Sequence, residues 1–239
     1  MRIAVFSDVH GNLPALKATL AAIDAEHPDA IWYAGDFVGY GPWPDECVRL
    51  IQARADVAIS GNYDVKVLKY PRKAVKWEHS KDARKLAAFR HAYENLAPES
   101  LAYLESLPSW QRIPFGEQRV LMIHSAPDSD REGITPDTPA ARLEAIAATA
   151  SAEVILTGHT HRPLVTRACG TLFVNPGSAG RPVDGDTRAS FALVTLDESG
   201  AQAEIRRVTY PVEAVIAALA QTDLPPDFAV LYERARPTF

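Results

Sequence analysis

Residues 2–12 read RIAVFSDVHGN, and this stretch decides the fold. The run from Arg2 to Ser7 is short, apolar and rich in β-formers, and Asp8 closes it. That is the pattern of a buried strand. Asn12 then precedes Leu13 and Pro14, an N-cap followed by a proline in the first helical turn. Leu13, Leu16, Leu20 and Ile23 keep helical spacing, and Pro28 sets the limit of that helix. The pattern then repeats. Residues 30–34 (AIWYA) form a second apolar run ending at Gly35-Asp36. Residues 44–54 carry Val48 and Ile51 on one helical face, and 56–59 (DVAI) make a third short run ending at Gly61-Asn62. A β-α-β-α-β start implies parallel strands joined by crossover helices.

Further on the pattern changes. Residues 64–107 are mostly helical and carry a basic cluster of Lys66, Lys69, Arg72, Lys73, Lys76, Lys81, Arg84 and Lys85. We read this segment as a helical insertion over the sheet, and its charge run as a solvated helix face. QRIPF and RVLMIH flank GEQ, which predicts a hairpin with Gly116 in its turn. A helix over 139–149 leads to a strand over 154–157. Runs at 163–168, 171–174, 189–196 and 203–210 alternate with turns, an antiparallel pattern. A final helix is expected over 211–220. The expectation is one α/β domain over 1–239 with mixed sheets and a helical insertion at about 64–107.

Composition excludes several classes. Of 239 residues, 47% are hydrophobic and 23% charged, so the chain has the apolar content for a core. Lys and Arg number 25 against 30 Asp and Glu, a net charge of −5, which disfavours long nucleic acids as partners. Cys47 and Cys169 have no C-x-x-C partner, which argues against a disulfide framework and a thiolate zinc site. No run reaches about 18 consecutive apolar residues, and the N-terminus lacks a signal-peptide pattern. A soluble, cytoplasmic protein without a membrane span is expected.

The chemistry gathers where the strands end. The five predicted strand ends carry Asp8-x-His10, Gly35-Asp36, Gly61-Asn62, His124 and Gly158-His159-Thr160-His161. Ligand sites in α/β proteins collect beyond the carboxyl ends of strands. In extended backbone, residues two apart point the same way, so Asp8 and His10 are expected to converge, as are His159 and His161. Carboxylate, amide and imidazole donors without thiolate suit Mn, Fe, Co, Ni or Zn. Two carboxylates, one amide and four imidazoles exceed the needs of one ion and suit two ions sharing a carboxylate. Each element alone has an ordinary reading: D-x-H as a strand end, G-D and G-N as turns, His124 as a buried ring. Their joint occurrence is what points to a metal site.

In order and approximate spacing, these motifs resemble the calcineurin-like metallophosphoesterase family, over residues 8–161. GDFVGYGPWPDECV (35–48) and NPGSAGRPVDGDTRAS (175–190) are similar to a branch of small bacterial and archaeal phosphodiesterases. The resemblance implies a four-layer α/β/β/α sandwich and two divalent ions, Mn being the first choice. By the same resemblance, Asp8, His10, Asp36 and His161 would hold one ion, and Asp36, Asn62, His124 and His159 the other. Asp36, Asn62 and His124 would be central to catalysis, in which a metal-bridging hydroxide attacks phosphorus.

One departure stands out. Many members of that family read G-N-H-[DE] at the third motif, where this chain has Gly61-Asn62-Tyr63-Asp64. A tyrosine titrates at about 10 and is a poor general acid at pH 7, so good leaving groups are expected. Tyr63 otherwise reads as a packing aromatic, and Asp64 as a helix cap in preference to a group supporting the site. Tyr40 in the Gly39-Tyr40-Gly41-Pro42 turn, Tyr63 and Arg181 are candidate substrate contacts, and Trp77, His79 and His91 would shape the pocket if the insertion acts as a lid. The expected partner is a small phosphate ester or nucleotide. Alternative readings are a diadenosine-polyphosphate-type hydrolase, a nuclease, and a non-catalytic interaction module on the same fold.

Overall fold

The computed structural model describes residues 1–116 and 118–236. Glu117, in the expected hairpin turn, and residues 237–239, in the expected domain span, lie outside the described residues. The opening pattern forms as read. β1 (Arg2–Phe6), β2 (Ala30–Tyr33) and β3 (Val57–Ala58) are parallel, joined by α1 (Leu13–Ala25) and α2 (Pro44–Arg54). Asn12 caps α1, its side chain accepting from Ala15 N–H, with Pro14 in the first turn. The insertion is α3 (Asn62–Glu78), α4 (Ala83–Glu94) and α5 (Pro98–Ser106). The hairpin follows as β4 (Trp110–Phe115) and β5 (Gln118–Ile123), then α6 (Ala140–Ala150) and β6 (Val154–Leu156).

β7 (Leu164–Ala168), β8 (Thr171–Asn175), β9 (Ala189–Asp197) and β10 (Gly200–Val208) complete two five-stranded sheets, ordered β10-β9-β1-β2-β3 and β4-β5-β6-β8-β7. Both late hairpins are antiparallel, as expected, yet they belong to different sheets. β9 runs antiparallel to β1, while β8 runs parallel to β6. α7 (Val212–Leu219) is the expected last helix, and α8 (Phe228–Arg234) follows it unanticipated. α8 buries Phe228, Leu231 and Tyr232, spaced for one helical face.

Period-two alternation explains the layers. Ile3 and Val5 of β1 face Val120, Met122, Val154, Leu156, Leu172 and Val174 of the opposite sheet. Ala4 and Phe6 face the other way, onto Leu16, Leu20 and Ile23 of α1 and Val48 and Ile51 of α2. On the second sheet, Leu121, Ile155 and Phe173 face outward onto Leu143 and Ile146 of α6. Each sheet therefore buries both faces, which gives the α/β/β/α sandwich. Among the described residues no helix is long and apolar enough to cross a membrane. Cys47 is buried and Cys169 exposed, and both are free thiols.

Candidate metal centre

The ends of β1, β2, β5 and β6 meet at one edge of the sandwich. Asp8 N–H donates to Gly35 O (2.9 Å), His10 N–H to Asp36 O (3.1 Å) and Gly158 N–H to His124 O (3.0 Å), so the loops are stitched together by backbone. Asp8, His10, Asp36, His159 and His161 all have positive φ, between 49° and 69°. The expected convergence of these pairs thus has a different cause. The chain leaves the strand before Asp8 and takes left-handed conformations, which Asp and His tolerate better than most residues. Such conformations persist where the surroundings enforce them, and they concentrate at functional sites. Gly61 enforces one approach: a Cβ there would lie 2.1 Å from Asp36 Oδ1.

Asp8, His10, Asp36 and His161 are buried, and one ligand atom from each lies within 4.8 Å of all the others. Asp8 Oδ1 is 3.3 Å from His161 Nε2, and Asp36 Oδ2 is 3.5 Å from His10 Nε2. Backbone carbonyls set the tautomers. His10 Nδ1–H donates to Val38 O (3.0 Å) and His161 Nδ1–H to Arg181 O (2.5 Å). Their Nε2 atoms therefore turn toward each other at 3.1 Å. Two imidazole lone pairs at that distance repel unless a proton or cation stands between them.

Asn62, His124 and His159 form a second set beside the first. Asn62 Oδ1, His124 Nε2 and His159 Nδ1 are buried atoms without a hydrogen-bond partner. Each histidine again donates its other nitrogen to a carbonyl, His124 Nδ1 to Ala34 O (2.8 Å) and His159 Nε2 to Arg131 O (3.1 Å). Orphaned polar atoms are costly, and three of them at the floor of one cleft, with a carboxylate beside His124, fit a cation. Asp36 adjoins both sets. Its Oδ1 accepts from Tyr63 N–H (2.7 Å), while Oδ2 lies 3.5 Å from His10 Nε2 and 3.3 Å from His124 Nε2.

The electrostatics are those of a site built for positive charge. Burial drives the His10 pKa down to about 3, so it is a neutral donor. Burial and the His124 charge also lower His159. His124 goes the other way: burial opposes its charge, but Asp36 outweighs this and lifts it to about 10. Asp36 is held low, burial being outweighed by His124. Asp8 is also held low, His161 being the largest influence against burial.

Supporting groups surround the site, and of these Ser7 had no signal in the sequence. Asp64 accepts N–H bonds from Asp36 (3.0 Å), Phe37 (2.9 Å), Val38 (3.3 Å) and Gly61 (2.8 Å). It therefore caps α3, as expected, and also fixes the Asp36 loop. Burial and then the Asp36 charge push its pKa up to about 8, against these N–H donors. Ser7 Oγ lies 2.5 Å from Asp8 Oδ2, and Ser178 Oγ donates to Asp8 O (2.6 Å). Asn175 Nδ2 donates to Gly158 O (2.6 Å), and its Oδ1 accepts from Gly177 N–H (2.9 Å). The segment 175–178 thus braces two ligand loops.

The candidate substrate contacts fall on the deep side. Tyr40 is buried among His10 (5.3 Å between centroids), Tyr63 (5.0 Å) and Phe228 (5.3 Å), and the Arg181 guanidinium lies 4.1 Å from its ring. Tyr63 stands edge-on to His10 at 5.1 Å, its hydroxyl paired with that of Tyr40. Burial, then Tyr40, raises the Tyr63 pKa well above its usual value. A cleft of about 1060 Å³ opens from the other side, past Asn62, His124 and His159. Trp77, Lys66, Lys69 and Lys81 of the insertion form one wall, and residues 125–131 the other. His79 is exposed, and His91 bonds Asp223 (2.9 Å) away from the cleft.

Comparison with known proteins agrees with this geometry. Residues 1–199 match the calcineurin-like phosphoesterase superfamily domain. An uncharacterised protein of Methanocaldococcus jannaschii is 30% identical over 240 residues, covering 93% of each chain. Phosphodiesterase YfcE of Escherichia coli is 22% identical over 197 residues, covering 82% of this chain and 89% of YfcE. A metallophosphoesterase structure from Sphaerobacter thermophilus superposes with a TM-score of 0.80 at 30% identity, over 98% of this chain and 99% of that one. A Pyrococcus horikoshii protein shares the fold with a TM-score of 0.88 at 24% identity, over 98% of both chains. On the extent of the domain match, and with its aspartates and histidines gathered at the strand ends, this chain belongs to the calcineurin-like phosphoesterase superfamily and is a metal-binding hydrolase.

Proposed function

We propose that this chain, acting as one domain, is a dinuclear phosphodiesterase of small phosphate esters. Asp8, His10, Asp36 and His161 would hold one ion, Asp36, Asn62, His124 and His159 the other. The observation that carries this reading is the set of orphaned buried atoms on Asn62, His124 and His159 beside the compact four-residue cluster. Divalent ions, Mn²⁺ first and Fe, Co, Ni or Zn by the same donor chemistry, supply Lewis acidity, an activated water and charge neutralisation on phosphate oxygens.

The chain's own groups do the rest. The carbonyls of Val38, Arg181, Ala34 and Arg131 hold four imidazoles in the tautomer that presents a donor inward. Asp64 fixes the loop that carries Asp36. Tyr63 is half-buried, bonded to Tyr40 and titrates far above neutrality, so it does not protonate a leaving group at pH 7. Substrates with stable leaving groups are therefore favoured over alkyl monoesters. A non-catalytic module is disfavoured because every ligand position carries a suitable donor.

Hydrolysis of bis-p-nitrophenyl phosphate by stripped and Mn²⁺-reloaded protein tests this, alongside Asp36→Ala. Turnover that needs the metal and Asp36 supports the reading. Turnover that survives Asp36→Ala at the wild-type rate contradicts it, as does faster hydrolysis of alkyl monoesters for the leaving-group preference.

A further inference from the structure

The cleft wall supplied by the insertion has a row of cations leading away from the metal centre. Asn62, Lys66 and Lys69 stand at i, i+4 and i+7 of α3, on one face, and all line the cleft. At the helical rise, Lys66 sits about 6 Å and Lys69 about 10 Å along the axis from Asn62. Lys81 joins them from the turn before α4. Its ammonium lies 4.8 Å from the centre of the Trp77 ring, which in turn packs on Phe89 at 5.7 Å. The Lys66 ammonium lies 4.9 Å from the Tyr63 ring. Aromatic faces thus orient two of the three ammonium groups.

Among the described residues, no carboxylate lies within ion-pair distance of Lys66, Lys69 or Lys81. On the facing wall Asp128 is taken up by Arg142 at 2.6 Å, while Asp130 is exposed, 3.9 Å from Arg131. Like charges are therefore crowded on one wall. Lys66 registers this. Burial lowers its pKa, and Lys81 and Lys85 lower it further against the pull of Asp36 and, more weakly, Asp130. Ammonium groups gathered on one wall, one of them partly desolvated, favour an anion between them.

We propose that Lys66, Lys69 and Lys81 form an anion subsite for a second phosphate, so that the preferred substrates are phosphoanhydrides of the nucleoside diphosphate type. This rests on the reading of the neighbouring centre as a phosphoesterase site. Water adds to the phosphorus held at the centre, and the bridging P–O bond breaks. Its electron pair leaves on the departing phosphate, and the proton of water goes to solvent. A phosphate leaving group has a pKa near 6, so it departs without a side-chain proton. That accounts for the absence of an acid at Tyr63, and the lysines neutralise the charge that develops instead.

The test is calorimetric binding to the metal-loaded full chain. The ligands are α,β-methylene-ADP, which is not cleaved at its bridge, and AMP. Wild type should bind the diphosphate at least about tenfold more tightly, the scale of one or two charge-assisted contacts. The double variant Lys69→Gln/Lys81→Gln should bring the two affinities to within about twofold, and Lys69→Arg/Lys81→Arg should retain the preference. Equal wild-type affinities, failure of the diphosphate to bind, or a preference that survives in the glutamine variant would overturn the subsite. Wild-type turnover of bis-p-nitrophenyl phosphate is read separately. Its absence would count against the phosphodiesterase reading and leaves the binding preference to judge the lysines.

Discussion

The two halves of the metal centre are built differently. On the deep side, Asp8, His10, Asp36 and His161 are all buried, pinned by backbone at left-handed φ and packed against Tyr40 and Tyr63. On the cleft side, Asn62, His124 and His159 line an open cavity, and their inward atoms lack protein partners. The deep half is enclosed by protein, and the cleft half borders the open cavity. A preorganised buried site binds an ion more tightly than one at a cleft floor, so the deep ion should be the resident one and the outer ion the exchangeable one. Asp36 joins the halves.

The largest effect is expected where the halves meet. Asp36→Ala should abolish the binding of both ions and lower turnover by more than about 10³-fold, beyond the 10²–10³-fold typical for a single electrostatic group. Metal analysis and bis-p-nitrophenyl phosphate turnover measure both. Next comes the loop beneath that residue. Asp64→Ala strips a buried acceptor from four backbone N–H groups. At about 1–3 kcal/mol for each buried group left unsatisfied, the loss should exceed about 4 kcal/mol in a urea unfolding experiment. A loss below 1 kcal/mol would show that the loop holds itself.

Proton linkage sharpens the comparison further. His10 is already neutral near pH 7, because burial lowers it to about 3, whereas His124 is raised to about 10 by Asp36 against burial. The outer ion must displace the His124 proton, and the deep ion displaces none from His10. Affinity for the outer ion should therefore rise about tenfold per pH unit from about 6.5 toward 10, with proton release seen in weakly buffered titrations. A raised histidine also stabilises the metal-free fold. That contribution is complete below the unfolded value of about 6.5 and is lost as pH rises through about 10. The smallest effect is expected at Tyr63→Phe. It removes only the hydroxyl pair with Tyr40 and should cost about 1 kcal/mol of stability, with turnover within about threefold. A hundredfold loss would make Tyr63 a participant in the reaction.

The same contrast explains what the sequence made legible. The deep half follows from local signals: an apolar run, a polar residue where it stops, and the Asn12 cap that starts α1 at once. Those signals located Asp8, His10 and Asp36, although extended alternation was the wrong reason for the convergence of Asp8 with His10. Left-handed φ at these residues depends on loops packing from elsewhere, which no window of sequence contains. The assignment of the β7–β8 and β9–β10 hairpins to separate sheets is likewise non-local, because both read as the same alternating pattern. α8 was missed because it spans only Phe228–Arg234 behind Pro225-Pro226, too short for periodicity to stand out. The basic run of the insertion read as a solvated face. Part of it is: Lys69, Lys73 and Lys76 are exposed, but Lys66, Lys81 and the exposed Lys69 also line the cleft. Only the position of α3 beside the centre separates the two groups.

The most direct test of the two-sided centre is ion stoichiometry by plasma mass spectrometry on protein stripped, reloaded with Mn²⁺ and freed of excess. The account predicts two ions per chain in wild type, one in His124→Ala and none in Asp36→Ala. A single ion in wild type, or no change on removing His124, would contradict it.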